Sequence, residues 1–305
     1  MKFLVTGGAG FIGSHITDRL LANGHSIRIL DNFSTGKREN IPDSASVSVI
    51  EGDVADPETV RSAMHGVDRV FHEAAIASVP ETVGDPLGSA RVNYQGTLNV
   101  LESARHAGVQ RVVFACSAAV YGDLPELPKQ EDMPVRPLSP YAVDKLASEH
   151  ACQVYTHLYG LEAVALRYFN VFGPRQDPGS PYSGVISIFT DCIRNGRQPR
   201  IYGDGEQTRD FVYVADVVDA NLRAAFSQRA PGRSYNIATG STISINDLLR
   251  TLCRLQDRPF DPVWLPGREG DIRHSQADIR RAVDELHWHP EVTFEDGLRK
   301  LLASQ

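Results

Sequence analysis

Two clusters in the chain combine residue types and spacings suited to chemistry on a bound small molecule. In Ser139-Pro140-Tyr141-Ala142-Val143-Asp144-Lys145, the phenol of Tyr141 and the ammonium of Lys145 are four residues apart and share one face of a helix. An ammonium beside a phenol stabilises the phenolate, lowering the pKa until the tyrosine is usable as a base near neutrality. The hydroxyl of Ser117 follows the strand-like run Arg111–Ala115 and adds a hydrogen-bonding group. A Tyr–Lys pair alone is common on helix surfaces, but here a glycine cluster stands upstream. Gly7, Gly10 and Gly13 lie between the apolar run Lys2–Thr6 and a segment in which Ile12, Ile16, Leu20 and Leu21 recur at helical spacing. A strand, a glycine turn and a helix in that order bring backbone N–H groups, those of Phe11 and Ile12 among them, to a pyrophosphate at the positive end of the helix. Gly13 lets the helix pack closely on the sheet.

Asp31 closes a second strand-like run, Ser26–Leu30. A carboxylate there accepts hydrogen bonds from the adenosine ribose hydroxyls and meets a 2′-phosphate badly, which favours NAD over NADP. Lys37 and Arg38 stand close enough to offset that charge, so NADP remains the alternative. Asp53, in Gly52-Asp53-Val54, is placed either for the adenine amino group or as a turn cap. Further apolar runs at Val47–Ile50, Val67–Phe71, Val109–Ala115 and Val164–Tyr168 alternate with helix-like segments. That alternation predicts an α/β fold with a Rossmann-type doubly wound parallel sheet. Beyond about residue 170 the texture changes, with Gly173-Pro174, Asp177-Pro178-Gly179, Ser180-Pro181 and Gly203-Asp204-Gly205 punctuating shorter elements. A smaller second lobe is expected there, and ligands would sit between the lobes at the carboxyl ends of the strands.

Composition narrows the function classes. Over 305 residues, 42% hydrophobic and 23% charged content excludes disordered and low-complexity chains. A net charge of −7 opposes binding to nucleic acid or an anionic membrane, so any anionic ligand must be met by local cations. No run reaches the ~18 apolar residues of a membrane span, and Met1 leads into a strand rather than a signal peptide. Cys116, Cys152, Cys192 and Cys253 form no C-x-x-C pair and have no histidine at ligand spacing, so buried thiols in a reducing cytoplasm and no metal are expected.

With these residues in view, the chain resembles the extended short-chain dehydrogenase/reductase family and, within it, the nucleotide-sugar epimerases, above all the UDP-hexose 4-epimerases. The resemblance covers nearly all of the chain. It includes His72-Glu73-Ala74-Ala75, Asn93 in Val92-Asn93-Tyr94-Gln95-Gly96-Thr97, the run from Arg167 through Asn170 to Arg175, Thr208-Arg209-Asp210-Phe211 through Asp216, and Arg268-Glu269-Gly270-Asp271. It implies that Asn32, Val54, Ala74, Ala75 and Asn93 join the glycine turn, Asp31 and Asp53 around NAD, with Tyr141 and Lys145 at the nicotinamide end. Tyr141 would take the proton of the sugar 4-hydroxyl as hydride leaves C4, Ser117 would hydrogen-bond the reacting oxygen, and Lys145 would hold the nicotinamide ribose. The 4-keto sugar would then turn over and take the hydride back on its other face. In related dehydratases and decarboxylases acidic residues follow the catalytic Ser or Thr; here Ala118 and Ala119 do, and methyl groups transfer no protons. His15 and His72 are read as structural, and His287-Trp288-His289 as a packed turn.

On the substrate side the resemblance implies diphosphate contacts from Arg209, Arg268 and Asn170. It places Tyr202 beside uracil, Asp271 at the uridine ribose, and Ser78 and Val79 near nicotinamide and sugar. Ser275 falls where glucose-restricted epimerases carry a tyrosine beside the sugar C2 substituent, and a serine leaves room for an N-acetyl group. The expectation is a cytoplasmic, NAD-dependent epimerase of UDP-GlcNAc and UDP-GalNAc with weaker action on UDP-glucose and UDP-galactose. The alternatives are an enzyme restricted to the non-acetylated pair and, in another class, a non-enzymatic NAD(P)-binding regulator, which would lack Tyr141 or Lys145. The expected NAD-binding domain spans 1–168 plus about 206–232, and a smaller, discontinuous α/β UDP-sugar-binding lobe spans about 169–205 and 233–305. A homodimer built on helices near 90–107 and 141–159 is also implied.

Overall fold

The computed structural model describes residues 1–176, 184–267 and 272–304. Arg268 and Asp271, expected to bind substrate, lie outside the described residues. The strands are β1 (Lys2–Thr6), β2 (Ser26–Asp31), β3 (Val47–Glu51), β4 (Arg69–His72), β5 (Arg111–Ser117), β6 (Glu162–Tyr168), β7 (Asn170–Phe172), β8 (Arg200–Tyr202), β9 (Thr208–Arg209), β10 (Phe211–Tyr213), β11 (Ser234–Ile237), β12 (Ile243–Ser244) and β13 (Val263–Leu265). The helices are α1 (Phe11–Ala22), α2 (Pro57–Ala63), α3 (Val79–Gly84), α4 (Pro86–Ser89), α5 (Gly96–Ala107), α6 (Pro140–Tyr159), α7 (Val185–Arg194), α8 (Val214–Phe226), α9 (Ile245–Leu255), α10 (Arg280–Leu286) and α11 (Phe294–Ala303).

Seven parallel strands form the main sheet in the order β11-β6-β5-β4-β1-β2-β3. Both faces of the central strands are covered, which is why β1, β5 and β6 read as largely continuous apolar runs. Along β5, Val112, Phe114 and Cys116 point into one core with residues of α5 and α6, while Val113 and Ala115 point into the other with residues of α1 and α8. A third core, with Phe172, Phe189, Phe211, Leu248 and Leu298, fills the smaller lobe, and Phe11 and Ile12 of the glycine turn pack against it. The two lobes therefore meet at the start of α1.

The domain boundaries differ from those expected. Ser234–Ile237, assigned to the smaller lobe, pairs in register with β6 and forms the edge of the main sheet. Trp288 is fully buried in the core beneath α8 and donates its indole N–H to the Asp216 carbonyl at 3.0 Å. Conversely, Phe211 and Tyr213 of β10 belong to the core of the smaller lobe, and β10 pairs with β7 outside the main sheet. The cause is coverage: the β6 edge needs a partner strand, and α8 needs an apolar lid.

Candidate active site

A cavity of about 430 Å³ opens at the carboxyl ends of β1, β2 and β4. The structure brings together in its lining Gly7, Gly10, Phe11, Ile12 and Gly13, then Asp31, Asn32, Asp53 and Val54, and finally Ala74 and Ala75. Gly7 sits at φ +67°, and a Cβ there would be 2.8 Å from the Ala74 nitrogen; a Cβ on Gly13 would overlap the Gly7 carbonyl oxygen. Only hydrogens fit, so the chain turns tightly onto α1. That helix starts at Gly10 with no side-chain cap, which leaves its first N–H groups directed at the cavity. The Asp31 carboxylate is fixed by the N–H groups of Ala9 at 2.9 Å and Phe33 at 2.8 Å. Lys37 and Arg38 are absent from the lining. Arg38 instead pairs with Glu51 and lies over the Phe33 ring, 4.2 Å from its centroid. The acidic end of the cavity thus suits a ribose diol rather than a 2′-phosphate, and the residues present fit NAD. Asp53 lines the cavity and also caps its own turn, accepting from Ala55 N–H at 2.8 Å.

Asn93 stands behind the cavity wall. It is 2% exposed and lies outside the cavity lining. Its side-chain carbonyl accepts from Ile76 N–H at 2.8 Å and its amide donates to the Ile76 carbonyl at 3.1 Å. The π-helical turn Ala90–Gln95 presents it to that strand extension, so Asn93 braces the Ala74–Ala77 wall from behind. The same geometry puts Ser34, Thr35, Glu73, Glu81 and Arg91 in the lining, none of which was expected. Ser34 and Thr35 come one residue after Asp31-Asn32 in sequence, the one signal that pointed to them.

Ser117 ends β5, and its hydroxyl accepts from Ala119 N–H at 3.1 Å. Ser139 caps α6 and Pro140 occupies its first turn, which fixes Tyr141 and Lys145 at the end of the helix nearest the strand ends. Lys145 is 3% exposed; its Nζ donates to the Ala115 carbonyl at 2.7 Å and stands 5.7 Å from the centre of the Tyr141 ring. The proton affinity of Tyr141 runs against the sequence argument. Burial pushes it up to about 12, with the Ser117 hydroxyl pulling it down and the Glu73 carboxylate adding to the rise. Desolvation of the phenolate dominates, and the Lys145 ammonium is turned to a backbone carbonyl and made less basic by burial. Tyr141 accordingly rests as a phenol.

Helix α6 is tied down along its length. The Asp144 carboxylate accepts from the Ser89 hydroxyl at 2.5 Å. Glu149 receives two bonds from Arg167, at 2.5 and 2.8 Å, and the Cys116 thiol at 3.2 Å. His72 is wedged between the hydroxyls of Thr6 at 2.7 Å and Thr97 at 3.0 Å, and burial lowers it to about 3, so it is neutral and structural. The His15 ring lies 3.0 Å from the Pro174 carbonyl, likewise bridging elements.

On the substrate side, Ser78 caps α3 just beyond the cavity wall and Val79 is 39% exposed beside it. Asn170 is exposed at the start of β7. In the smaller lobe, Gln207 donates to the Tyr202 carbonyl at 3.0 Å, Arg209 donates to the Thr208 carbonyl at 2.9 Å, and Ser275 N–H donates to that same carbonyl at 3.2 Å. These bonds tie the segment carrying Ser275 to the stretch from Tyr202 to Arg209. Arg273 braces it through a two-pronged pair with Asp204 at 2.6 and 2.7 Å. Asp210, which the sequence reading passed over, is a buried hub accepting from the N–H groups of Thr239, Gly240 and Ala277. No His/Cys/Asp/Glu group suited to a metal occurs among the described residues, whose helices include none long and apolar enough to cross a membrane.

Residues 3–238 match the NAD dependent epimerase/dehydratase family. A UDP-glucose 4-epimerase of Mycolicibacterium smegmatis is 42% identical over 305 residues, 98% of this chain and 97% of that one. Among solved structures, the UDP-N-acetylglucosamine 4-epimerase of Methanobrevibacter ruminantium in complex with UDP-N-acetylmuramic acid is similar with a TM-score of 0.96 and 40% identity, over 99% of this chain and 97% of that chain. The UDP-glucose 4-epimerase of Thermus thermophilus in complex with NAD gives a TM-score of 0.90 and 40% identity, over 100% of this chain and 98% of that chain.

Proposed function

Since the chain belongs to the NAD dependent epimerase/dehydratase family, we propose that it interconverts UDP-GlcNAc and UDP-GalNAc by inverting C4, with UDP-glucose and UDP-galactose as slower substrates. At the coarser level it is an NAD-dependent UDP-sugar epimerase, an isomerase. The glycine turn, Asp31 and Asp53 would hold NAD, which would supply a hydride acceptor and donor for C4. The chain's own residues manage the proton and the sugar. Tyr141 must hold the proton of the 4-hydroxyl, so it enters turnover as a phenolate, with Ser117 donating to the anionic oxygen and Lys145 supplying a nearby positive charge. On the return step the Tyr141 phenol gives the proton back to the C4 oxygen.

The observation that carries an out-and-back transfer is the turn after Ser117, where Ala118 and Ala119 offer only methyl groups and no acid or base for elimination. The acetylated pair is favoured by Ser275, a half-buried small side chain beside Thr208 and Arg209. An enzyme restricted to UDP-glucose and UDP-galactose is the second reading, favoured by the name of the Mycolicibacterium relative. We also infer a homodimer through α5 and α6, supported by Val143, Val154 and Leu158, which stand 50%, 47% and 62% exposed along one side of α6. Product analysis by NMR with a panel of UDP-sugars tests the substrate. Turnover of both pairs is expected, and turnover of UDP-glucose with none of UDP-GlcNAc refutes the acetylated reading.

A further inference from the structure

Glu73 is a carboxyl group on the wall of the cavity that holds the glycine turn and Asp31, and the epimerase scheme gives it no task. Its N–H continues the β1–β4 ladder by donating to the Thr6 carbonyl at 3.1 Å. In register, His72 faces Phe114, so Glu73 stands one residue further on, level with Ala115, whose carbonyl receives the Lys145 ammonium at 2.7 Å. From the other side Tyr168, the register partner of Ser117, donates its hydroxyl to Glu73 Oε1 at 3.0 Å, and the amide of Asn221 on α8 backs that hydroxyl at 2.7 Å. The carboxyl thus sits just past the end of β4 and is held from β6, the strands on either side of β5, which presents Ser117 and anchors Lys145.

We propose that Glu73 is a positioning residue for the reaction: its carboxyl, fixed by Tyr168 across the strand ends from Lys145, governs how readily Tyr141 gives up its proton. Like charges disfavour one another, so an ionised Glu73 keeps Tyr141 as the phenol, and a protonated Glu73 removes that opposition. Burial raises Glu73 to about 7, against the opposing pulls of the Tyr168 hydroxyl and the Lys145 ammonium. A carboxyl raised that far would change charge near neutrality. The other groups facing it do not. Lys145 and Tyr141 on α6 are the pair it acts on, and burial holds Cys116 on β5 and Tyr168 on β6 in their neutral forms. His72 on β4 is neutral and Asn221 on α8 is uncharged.

The inference rests on the epimerase reading, and the test separates the two. Glu73→Gln keeps the shape and the acceptor for Tyr168 but cannot ionise. The pH profile of kcat on the best UDP-sugar, measured from about pH 5 to about pH 9, should coincide with wild type on the acid side. Above the Glu73 midpoint the variant should become the faster enzyme, approaching a roughly tenfold advantage if the removed charge is worth about one pH unit on Tyr141. Tyr168→Phe removes the bond that favours the ionised carboxyl, so its profile should bend at higher pH than wild type, and it serves as the test should Glu73→Gln fail to fold. An infrared titration of the wild-type protein should show a carboxylic C=O band lost around neutrality that is missing from Glu73→Gln. Superimposable kcat profiles, or no such band, overturn the proposal while leaving an epimerase; absence of turnover on every UDP-sugar overturns the epimerase reading, and the infrared band still decides whether Glu73 changes charge near neutrality.

Discussion

Gly13 and Gly10 both line the cavity, but their surroundings predict different failures on gaining a methyl group. A Cβ on Gly13 would overlap the Gly7 carbonyl oxygen and press on the Gly7 carbonyl carbon at 2.9 Å and the Gly8 Cα at 3.0 Å. All three are backbone atoms of the turn itself and cannot rotate away. Relief requires the turn to open by roughly an ångström, a shift large enough to cost about a hundredfold where groups must be positioned on a ligand. Overpacking of this kind costs about 1–3 kcal/mol of stability, or about 2–12 °C of melting temperature at about 2–4 °C per kcal/mol. On Gly10 a Cβ meets only the Gly7 oxygen at 3.2 Å, so the fold should tolerate it, yet the methyl would stand in the anion-binding mouth of α1. The expected outcome is that Gly13→Ala purifies with little NAD and melts early even when both proteins are stripped of nucleotide. Gly10→Ala should melt as wild type when stripped but bind NAD at least about tenfold more weakly, a loss of about 1.4 kcal/mol. NAD release assays, calorimetric titration and melting of stripped protein measure these. A Gly13→Ala protein with wild-type melting and NAD content refutes the close-approach argument.

Ser275→Tyr should lose turnover of UDP-GlcNAc first and retain UDP-glucose, read as the ratio of kcat/KM for the two substrates; equal losses would place Ser275 away from the sugar. Asp31→Ser should narrow the preference of NAD over NADP in paired binding titrations, and should also weaken NAD, because the carboxylate braces the N–H groups of Ala9 and Phe33. Arg167→Met strands the carboxylate of Glu149, whose side chain is 1% exposed, and should cost about 3–5 kcal/mol in denaturant unfolding; a double replacement that also converts Glu149 to Leu should recover much of this, and no recovery would refute the stranded-charge account.

The parts of the site legible in the sequence are those that depend on neighbours in the chain. The glycine turn is read from Gly7, Gly10 and Gly13 because the strand before it and the helix after it are contiguous. Tyr141 and Lys145 share a face because Ser139 and Pro140 start a helix just ahead of them. What was not legible depends on distance. The pairing of Asn93 with Ile76 is set by a π-helical turn that no periodicity announces. The membership of β11 in the main sheet is decided by the open edge of β6, since Ser-Tyr-Asn-Ile carries no apolar run of its own. Lys145 was expected to lower Tyr141 because the spacing puts them side by side; burial, which has no local signature, reversed the sign.

That reversal ties the chemistry to α6 as a mechanical unit. A tyrosine that resists ionisation is useful as a base only if the groups favouring its anion are held without slack, since one misplaced hydrogen bond would return the advantage to the phenol. Helix α6 meets that demand by spreading its polar residues over separate partners: Asp144 to Ser89, Lys145 to the Ala115 carbonyl, Glu149 to Arg167 and Cys116. With three anchors within about one and a half turns, the helix cannot rotate or slide without breaking a buried polar contact, each costing about 1–3 kcal/mol. The outward side of the same helix, with Val143, Val154 and Leu158, is the face assigned to the proposed dimer. Burying it there would add apolar packing behind the anchors, so weakening the dimer should loosen Tyr141 relative to Ser117 and lower kcat more than it raises KM.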